Sequence, residues 1–546
     1  MTTTQTLTRT LVGMPSSSRT TQDPIPLVDG LDRIYSKQRL SKEGQRWDSL
    51  NAQFKEEFDG DSPNFIARAP GRVNLMGDHV DHMRFSCLPA ALEIDILMAV
   101  RVHTRTSKEE KSGEKRMVKF NLHNTTKRFE PITFESDLAD PESVQLLHEG
   151  GARWANYFKV AYKGLYPHLP NSVLNAETRP VQIDVLVDGT IPPESSLSSS
   201  AAMTTCSSIV VLEAFQARCL IGRHEMAEVA IESERLVGVN SGGMDQAASI
   251  FGVTGSALHI SFEPQLGAIP TKLPPSKPPH VLVIANTLVV SDKKVMGPVQ
   301  YNLRVCELMM ACRALAKKFD LPQDQSTKLL KPLTDVFFAK HPLKREEVKG
   351  EVKESWEKWG EEAAQLVHLR ELCSKVLPEY ALSRAEVEEL TDIKGEAYEK
   401  QFLSQFPVRA DTFALGKRVQ HVFNESLNVL RFKSVCQEGG EGAYKELGNI
   451  MHASQQTLFN VYENGCPELE AVCQLAESNG ALGCRPTGAG WGGSTVSLVE
   501  QGNVEKVIKA LRTGYYAKKY PNMTDDEFAD AVLVSQPAQG ACIYAL

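Results

Sequence analysis

Between Arg72 and His82 the chain sets one guanidinium, one carboxamide, two carboxylates and two imidazoles within eleven residues: Arg72, Asn74, Asp78, His79, Asp81 and His82. Acceptors paired in this way match a polyhydroxylated ligand, because each hydroxyl brings a proton to be accepted. A structural ion-pair cluster at a strand end would use the same residue types. Three further groups bear on the choice. In Ser195–Ser200, five of six residues are serine, interrupted only by Leu197. One or two serines suffice to cap a helix, whereas hydroxyls and free amides at a helix start also hold an anion such as phosphate. Gly242 and Gly243 stand just before Asp245, where glycine lets backbone approach a ligand closely, although an aspartate after glycines also serves as a turn or helix cap. Gly483–Gly493 holds five glycines in eleven residues. It lacks the Gly-Lys-Ser/Thr of a Walker loop, and it leads into a strand where a dinucleotide fingerprint leads into a helix.

The elements that must position these groups follow from periodicity. Val73 and Leu75 alternate with Arg72 and Asn74, which predicts a strand half buried on one side with its polar end delivering the cluster. Further strands are predicted at Glu93–Val102, Val181–Val187, His280–Val290 and Ser494–Val499, and one within Ala531–Leu546. A helix is expected to begin near Ser200, and another, carrying Glu234, to end at Gly238. Apolar residues on one helical face, Leu308, Met309, Cys312, Leu315, Ala316 and Phe319, predict a core helix. Leu415, Val419, Val422, Phe423, Leu427 and Leu430 predict a second. The Lys- and Glu-rich stretch from Lys340 to Glu362 reads as a solvated helix or a charged insertion. Six prolines across residues 264–279 mark the best lobe boundary.

Composition narrows the function classes. The 546 residues carry a net charge of −8, which argues against general nucleic-acid binding and leaves room for a small anionic ligand. Eleven cysteines without a CxxC pair predict reduced thiols and no zinc site. No apolar run is long enough to span a bilayer, so a cytoplasmic chain with no membrane partner is expected. The first 22 residues, rich in Thr and Ser with two arginines and no acid, read as a disordered tail, with a transit peptide as the alternative.

Taken in order, the four groups resemble the galactokinase branch of the GHMP small-molecule kinases. ARAPGRVNLMGDHVDHMRFSCLP resembles its sugar signature, and IPPESSLSSSAA its phosphate loop. GGMDQ resembles the catalytic-aspartate motif and RPTGAGWGGSTV the third motif. WANYFK, VIANTLVVS, YNLRV and SQPAQGACIYAL extend the similarity to about residues 45–546. The resemblance implies an α/β (α+β type) GHMP kinase fold, with two lobes of mixed β-sheets packed with helices and the active site in the cleft between them. The expected division is a disordered tail over 1–29, an N-terminal lobe over 30–265 and a C-terminal lobe over 266–546 that includes a charged insertion around 340–400.

It further implies that Asp245 is the base facing the anomeric hydroxyl of galactose, or its negative orienting partner. Arg72 would hold Asp245 ionised and stabilise the transferred phosphoryl group. Asp78, His79, Asp81, Gly242 and Tyr301, with Arg72 and Asp245, would contact the sugar. Ser196, Leu197, Ser198, Ser199, Ser200 and Ala201 would receive the ATP phosphates, and Trp154 would pack near adenine. Ser199 and Glu234 would hold Mg2+. The implied reaction is ATP-dependent phosphorylation of the galactose C1 hydroxyl by a monomer. N-acetylgalactosamine kinase is one alternative. A galactose- and ATP-binding sensor is another, with a transcriptional repressor as its partner.

Several residues depart from the family pattern. Asp78 stands for a glutamate, His82 for a tyrosine and Pro486 for an aliphatic residue. Ser196 and Glu194 stand where glycines are usual. If Ser196 must adopt left-handed backbone, the strain is roughly 1–2 kcal/mol.

Overall fold

The computed structural model describes residues 23–109, 113, 115–237, 242–289, 296–404 and 407–546. Its strands are β1 (Leu27–Val28), β2 (Phe65–Met76), β3 (Leu88–Thr106), β4 (Met117–Asn124), β5 (Ile132–Asp137) and β6 (Thr178–Gly189). The short hairpin β7 (Ser256–Ser261) and β8 (Gly267–Lys272) precedes β9 (His280–Asn286). After β10 (Leu382–Ser383) and β11 (Thr412–Phe413) come β12 (Ala481–Thr487), β13 (Ser494–Glu500), β14 (Val532–Ser535) and β15 (Cys542–Ala545). Seven strands form one mixed sheet in the order β1-β15-β2-β3-β6-β4-β5, and four form another in the order β12-β13-β9-β14. The hairpin β7–β8 and the pair β10–β11 add two small sheets, and the two larger sheets are mixed with helices as the family resemblance implies.

The polypeptide closes on itself. Strand β15 lies antiparallel to β2, pairing Cys542 with Arg68, while β1 lies parallel to β15. Residues 1–22 of the expected tail lie outside the described residues, but Ile25 is buried and Leu27–Val28 form β1, so a tail does not extend to residue 29. Strand β9 follows the proline-rich stretch directly and opens the four-stranded sheet.

The strand β2 is buried over its whole length, not on one side as its alternation predicts. Helices Ser199–Ala214 and Met244–Phe251 pack on it, and so do helix Leu415–Glu438 and strands β12 and β13 from the C-terminal half. Polar residues alternate inward here because they meet a second layer of protein, not water. Pro486 takes part in β12, opposite Thr495; β12 is an edge strand, where a missing N–H breaks no ladder. Strand β9 ends at Asn286, short of the expected Val290, which lies outside the described residues.

Both apolar stripes lie in helices as expected, Tyr301–Lys318 and Leu415–Glu438, and pack together in a helical core. The charged stretch contains helix Gly350–Trp359, whose Val352 and Ser355 are buried while Trp356 and Trp359 pack on that same core. All eleven cysteines are free thiols, nine of them buried. Among the described residues, no helix is long and apolar enough to cross a membrane.

Candidate active site

The site forms where β2 ends. Arg72, on β2, donates from Nε to Asp245 Oδ1 at 2.8 Å and from Nη1 to the Ser196 carbonyl at 2.6 Å. Its own amide donates to Leu197 O, 3.2 Å away. One arginine therefore ties the sugar signature, the aspartate turn and the serine loop to a single point. The Arg72 side chain is 5% exposed and Asp245 23%, so the carboxylate keeps an opening that its partner lacks. Asp245 stands in the first turn of helix Met244–Phe251, after Gly243 at φ 111°, a backbone turn that favours glycine.

The serine loop adopts the strained form. Glu194, Ser196 and Ser198 have φ of 59°, 63° and 62°. Ser198 then starts helix Ser199–Ala214, and its Oγ is buried without a hydrogen-bond partner among the described residues. Glu194 is exposed. The glycine loop packs on this turn: a Cβ at Gly493 would meet Ser196 Oγ at 2.1 Å, and one at Gly488 would meet Ser196 O at 2.9 Å. Ser494 Oγ donates to Ser195 O at 2.6 Å. Leu197 and Ala201 are buried beneath the loop.

Past β2 the chain turns at Gly77, where φ is 99° and a Cβ would lie 2.7 Å from Cys87 Cβ. Asp78 is 2% exposed. Its Oδ1 accepts from Asn74 Nδ2 at 2.8 Å and from Gly488 N at 3.3 Å, and its Oδ2 lies 3.0 Å from Arg485 Nη2. Burial pushes its pKa up to about 6, against the pull of Arg485 and Asn74. His79 sits at φ 61° with Nε2 2.9 Å from Ala489 O and 3.1 Å from Asn464 Nδ2. A carbonyl only accepts, so Nε2 donates to Ala489 O and Nδ1 is left as an acceptor. Asn464 Nδ2, also a donor, makes no bond to Nε2 in this tautomer and instead shares the Ala489 carbonyl with it at 3.4 Å. Burial, with His82 and His421 nearby, holds His79 well below the usual imidazole range and therefore neutral.

Asp81 accepts from the His82 amide at 2.9 Å. Burial raises its pKa, but His82 and the Met244 amide outweigh this and leave it below the usual carboxylate range. Gly242 presses against it: a Cβ there would lie 2.4 Å from Asp81 Oδ2. Tyr301, at the start of its helix, faces His79 at 5.7 Å and His82 at 5.9 Å between ring centroids. The His82 ring nitrogens are buried and make no hydrogen bond among the described residues, with Nδ1 3.7 Å from Asp81 Oδ1.

Two residues are held by other partners. Glu234, in helix Arg223–Arg235, is buried and accepts from Gln246, the residue after Asp245. That helix ends at Arg235, before the expected Gly238, which lies outside the described residues. Trp154 donates from its indole to Glu130 O at 2.9 Å and packs near Phe129, ahead of helix Asn156–Leu165, which lies on the serine-loop helix. Sequence reasoning missed Arg485, Glu425, His421 and Asn464, which hold Asp78 and His79 from the C-terminal half.

This arrangement combines a wall of acceptors after β2, a half-buried carboxylate clamped by arginine, and a helix N-terminus with an unpaired hydroxyl. The galactokinase galactose-binding signature matches residues 52–102, the GHMP kinase N-terminal domain matches 156–253, and the GHMP kinase C-terminal domain matches 433–517. The galactokinase of Saccharomyces cerevisiae is 35% identical over 518 residues, covering 91% of this chain and 94% of that one. The chain belongs to the galactokinase family. A galactokinase of Schizosaccharomyces pombe is 32% identical over 94% of this chain and 97% of its own. The fold of this family member matches the crystal structure of Lactococcus lactis galactokinase complexed with galactose, with a TM-score of 0.61 at 22% identity, over 91% of this chain and 99% of that one. It is a GHMP-type kinase.

Proposed function

We propose that the chain phosphorylates the C1 hydroxyl of galactose, with ATP as donor, to give galactose 1-phosphate. One observation carries this reading: Arg72 bridges Asp245 Oδ1 and Ser196 O, so the sugar wall and the serine loop meet at one carboxylate. Asp78, His79, Asp81, Gly242 and Tyr301 form the sugar side. Neutral His79 and ionised Asp81 supply acceptors for hydroxyl protons. Asp245 takes up, or orients through its charge, the proton of the anomeric hydroxyl, and Arg72 keeps its carboxylate aimed. Phosphoryl transfer then rests on positioning and electrostatics and needs no covalent intermediate on the protein.

The residues present fit a nucleotide and its metal. The buried, unpaired Ser198 Oγ and the start of helix Ser199–Ala214 suit phosphate oxygens. Ser196, Leu197, Ser199, Ser200 and Ala201 complete that loop, and Trp154 is assigned to the adenine side. Among the described residues no cluster of three or more His, Cys, Asp or Glu could hold a metal. Ser199 and Glu234 are the groups that would hold a magnesium ion, the rest of whose shell would come from phosphates. When bound, Mg2+ neutralises phosphate charge.

Purified protein with Mg-ATP is expected to convert galactose to galactose 1-phosphate. Asp245→Ala should lower kcat on the order of 10³-fold, the scale of a lost general base, while the variant stays folded. Galactose binding without turnover by the wild type would move the reading to a sensor. Turnover restricted to N-acetylgalactosamine would move it to that sugar.

A further inference from the structure

Helix Leu415–Glu438 carries a stripe that none of the family motifs covers. Arg418, His421, Glu425 and Asn428 recur at helical spacing and are all buried. Glu425 is fully enclosed, yet its carboxylate is saturated. Oε1 accepts from Gly77 N at 2.8 Å, Asp78 N at 3.1 Å and Arg485 Nη2 at 2.8 Å. Oε2 accepts from Ser454 Oγ at 2.6 Å. An enclosed carboxylate with this many donors is held in one orientation, and it holds them in turn.

The donors are the turn that launches the sugar wall. Gly77 and Asp78 make the bend between β2 and His79, and two of their amides end on one oxygen from a helix some 350 residues away. Arg485 Nη2 reaches both Glu425 and Asp78 Oδ2, and its Nη1 donates to Asn74 O at 3.4 Å. Two residues beyond Arg485, Thr487 binds the Asn74 amide; one further, Gly488 N binds Asp78 Oδ1. His421, one helical turn before Glu425, donates from Nε2 to Asp78 O at 3.1 Å, and its ring lies 4.4 Å from Tyr462, which lies 4.5 Å from His79. Asp78 is thus gripped at its amide, carbonyl and carboxylate by residues that are not on its own strand.

We infer that Glu425 is a positioning residue for sugar recognition: through the Gly77 and Asp78 amides and through Arg485, it fixes the turn that presents Asp78, His79 and Asp81. It touches no substrate. The inference rests on the galactose reading of the site. It separates Glu425 from a general core residue because the turn it holds belongs to the sugar wall, whereas the serine loop is held by Arg72 and Ser494.

The test is steady-state kinetics on full-length wild type, Glu425→Gln, Glu425→Ala and Ser454→Ala, with galactose and ATP varied separately. Glu425→Gln keeps an acceptor oxygen for the two amides but withdraws the charge from Arg485. Galactose KM should rise about tenfold in Glu425→Ala and about threefold in Glu425→Gln and Ser454→Ala, graded by the hydrogen bonds lost. ATP KM should stay within about twofold throughout. Should Glu425→Ala fail to fold, the two milder variants carry the same test. Unchanged galactose KM, or equal rises for galactose and ATP in the folded variants, would overturn the inference. A wild type with no galactose turnover would instead overturn the function on which it rests.

Discussion

At the scale of single residues, the serine loop holds the sharpest departure from easy chemistry. Left-handed backbone places Cβ against the following carbonyl, and Glu194, Ser196 and Ser198 all bear that strain. The loop persists because its surroundings over-determine it: Arg72 binds Ser196 O, Ser494 binds Ser195 O, and Gly488 and Gly493 leave room for Ser196. Glycine at 194 and 196 would remove roughly 1–2 kcal/mol of strain at each site, offset by about 0.5–1 kcal/mol of extra unfolded-state entropy. With both terms taken per site, the double variant Glu194→Gly, Ser196→Gly should therefore gain about 1.5 kcal/mol in denaturant unfolding. Under the proposed ATP role of the loop, its ATP KM should also fall, since the substitution removes the Glu194 carboxylate from that loop. A loss of stability would show that the Ser196 side-chain packing outweighs the backbone strain.

Among elements, the contact between helix Ala443–Thr457 and β12 governs how the glycine loop is aimed. Gly448 and Gly483 let backbone meet backbone: a Cβ at Gly448 would lie 2.3 Å from Leu482 O, and one at Gly483 would lie 2.3 Å from Gly448 O. Neither obstacle is a flexible side-chain end, so helix and strand must separate if either glycine gains a methyl. Gly448→Ala is expected to cost about 2–3 kcal/mol by overpacking, read as a lowered urea midpoint. The same separation would shift Arg485 and Gly488, which both bind Asp78. Sequence patterning made the strands and the two core helices legible, because period 2 and period 3.6 survive in β-branched runs and in stripes such as Leu308–Phe319. It also exposed Arg72 and the serine loop as local clusters, whereas Asp245 reads on spacing alone as a turn or helix cap and stood out only through the family resemblance, because its partner Arg72 lies 173 residues away. The burial of β2 on both faces was not legible, since the layer that covers it arrives from residues beyond 400. Glu425 was hidden for a related reason: it lies beside the apolar stripe of its helix, and only the spacing of Arg418, His421, Glu425 and Asn428 could have signalled a buried polar face.

On the scale of the whole molecule, that polar face makes the joint between the two halves sensitive to acid. His421 is enclosed where helix Leu415–Glu438 meets the turn after β2, and burial lowers its pKa to about 4 although Glu425 and the Asp78 carbonyl pull it up. Arg485 and Arg418 face it as well. In the unfolded chain the same imidazole titrates near 6.5. Between these values the unfolded state binds a proton that the folded state refuses, so stability falls as pH drops through 6.5 towards 4. Asp78 acts in the opposite sense. Its carboxyl, raised from 3.8 to about 6, takes up a proton in the folded state first, so its contribution is present at low pH and is lost as pH rises through 6. The opposition is incomplete, because His79 joins His421 on the other side. One pKa unit is about 1.4 kcal/mol, so His421 alone should withdraw about 1 kcal/mol between pH 6.5 and 5.5. Glutamine at 421 keeps a donor for Asp78 O and does not titrate. Urea unfolding of wild type and His421→Gln at both pH values should show the variant losing about 1 kcal/mol less across that interval. Equal losses would mean that His421 accepts its proton within the folded joint, with Glu425 as its partner.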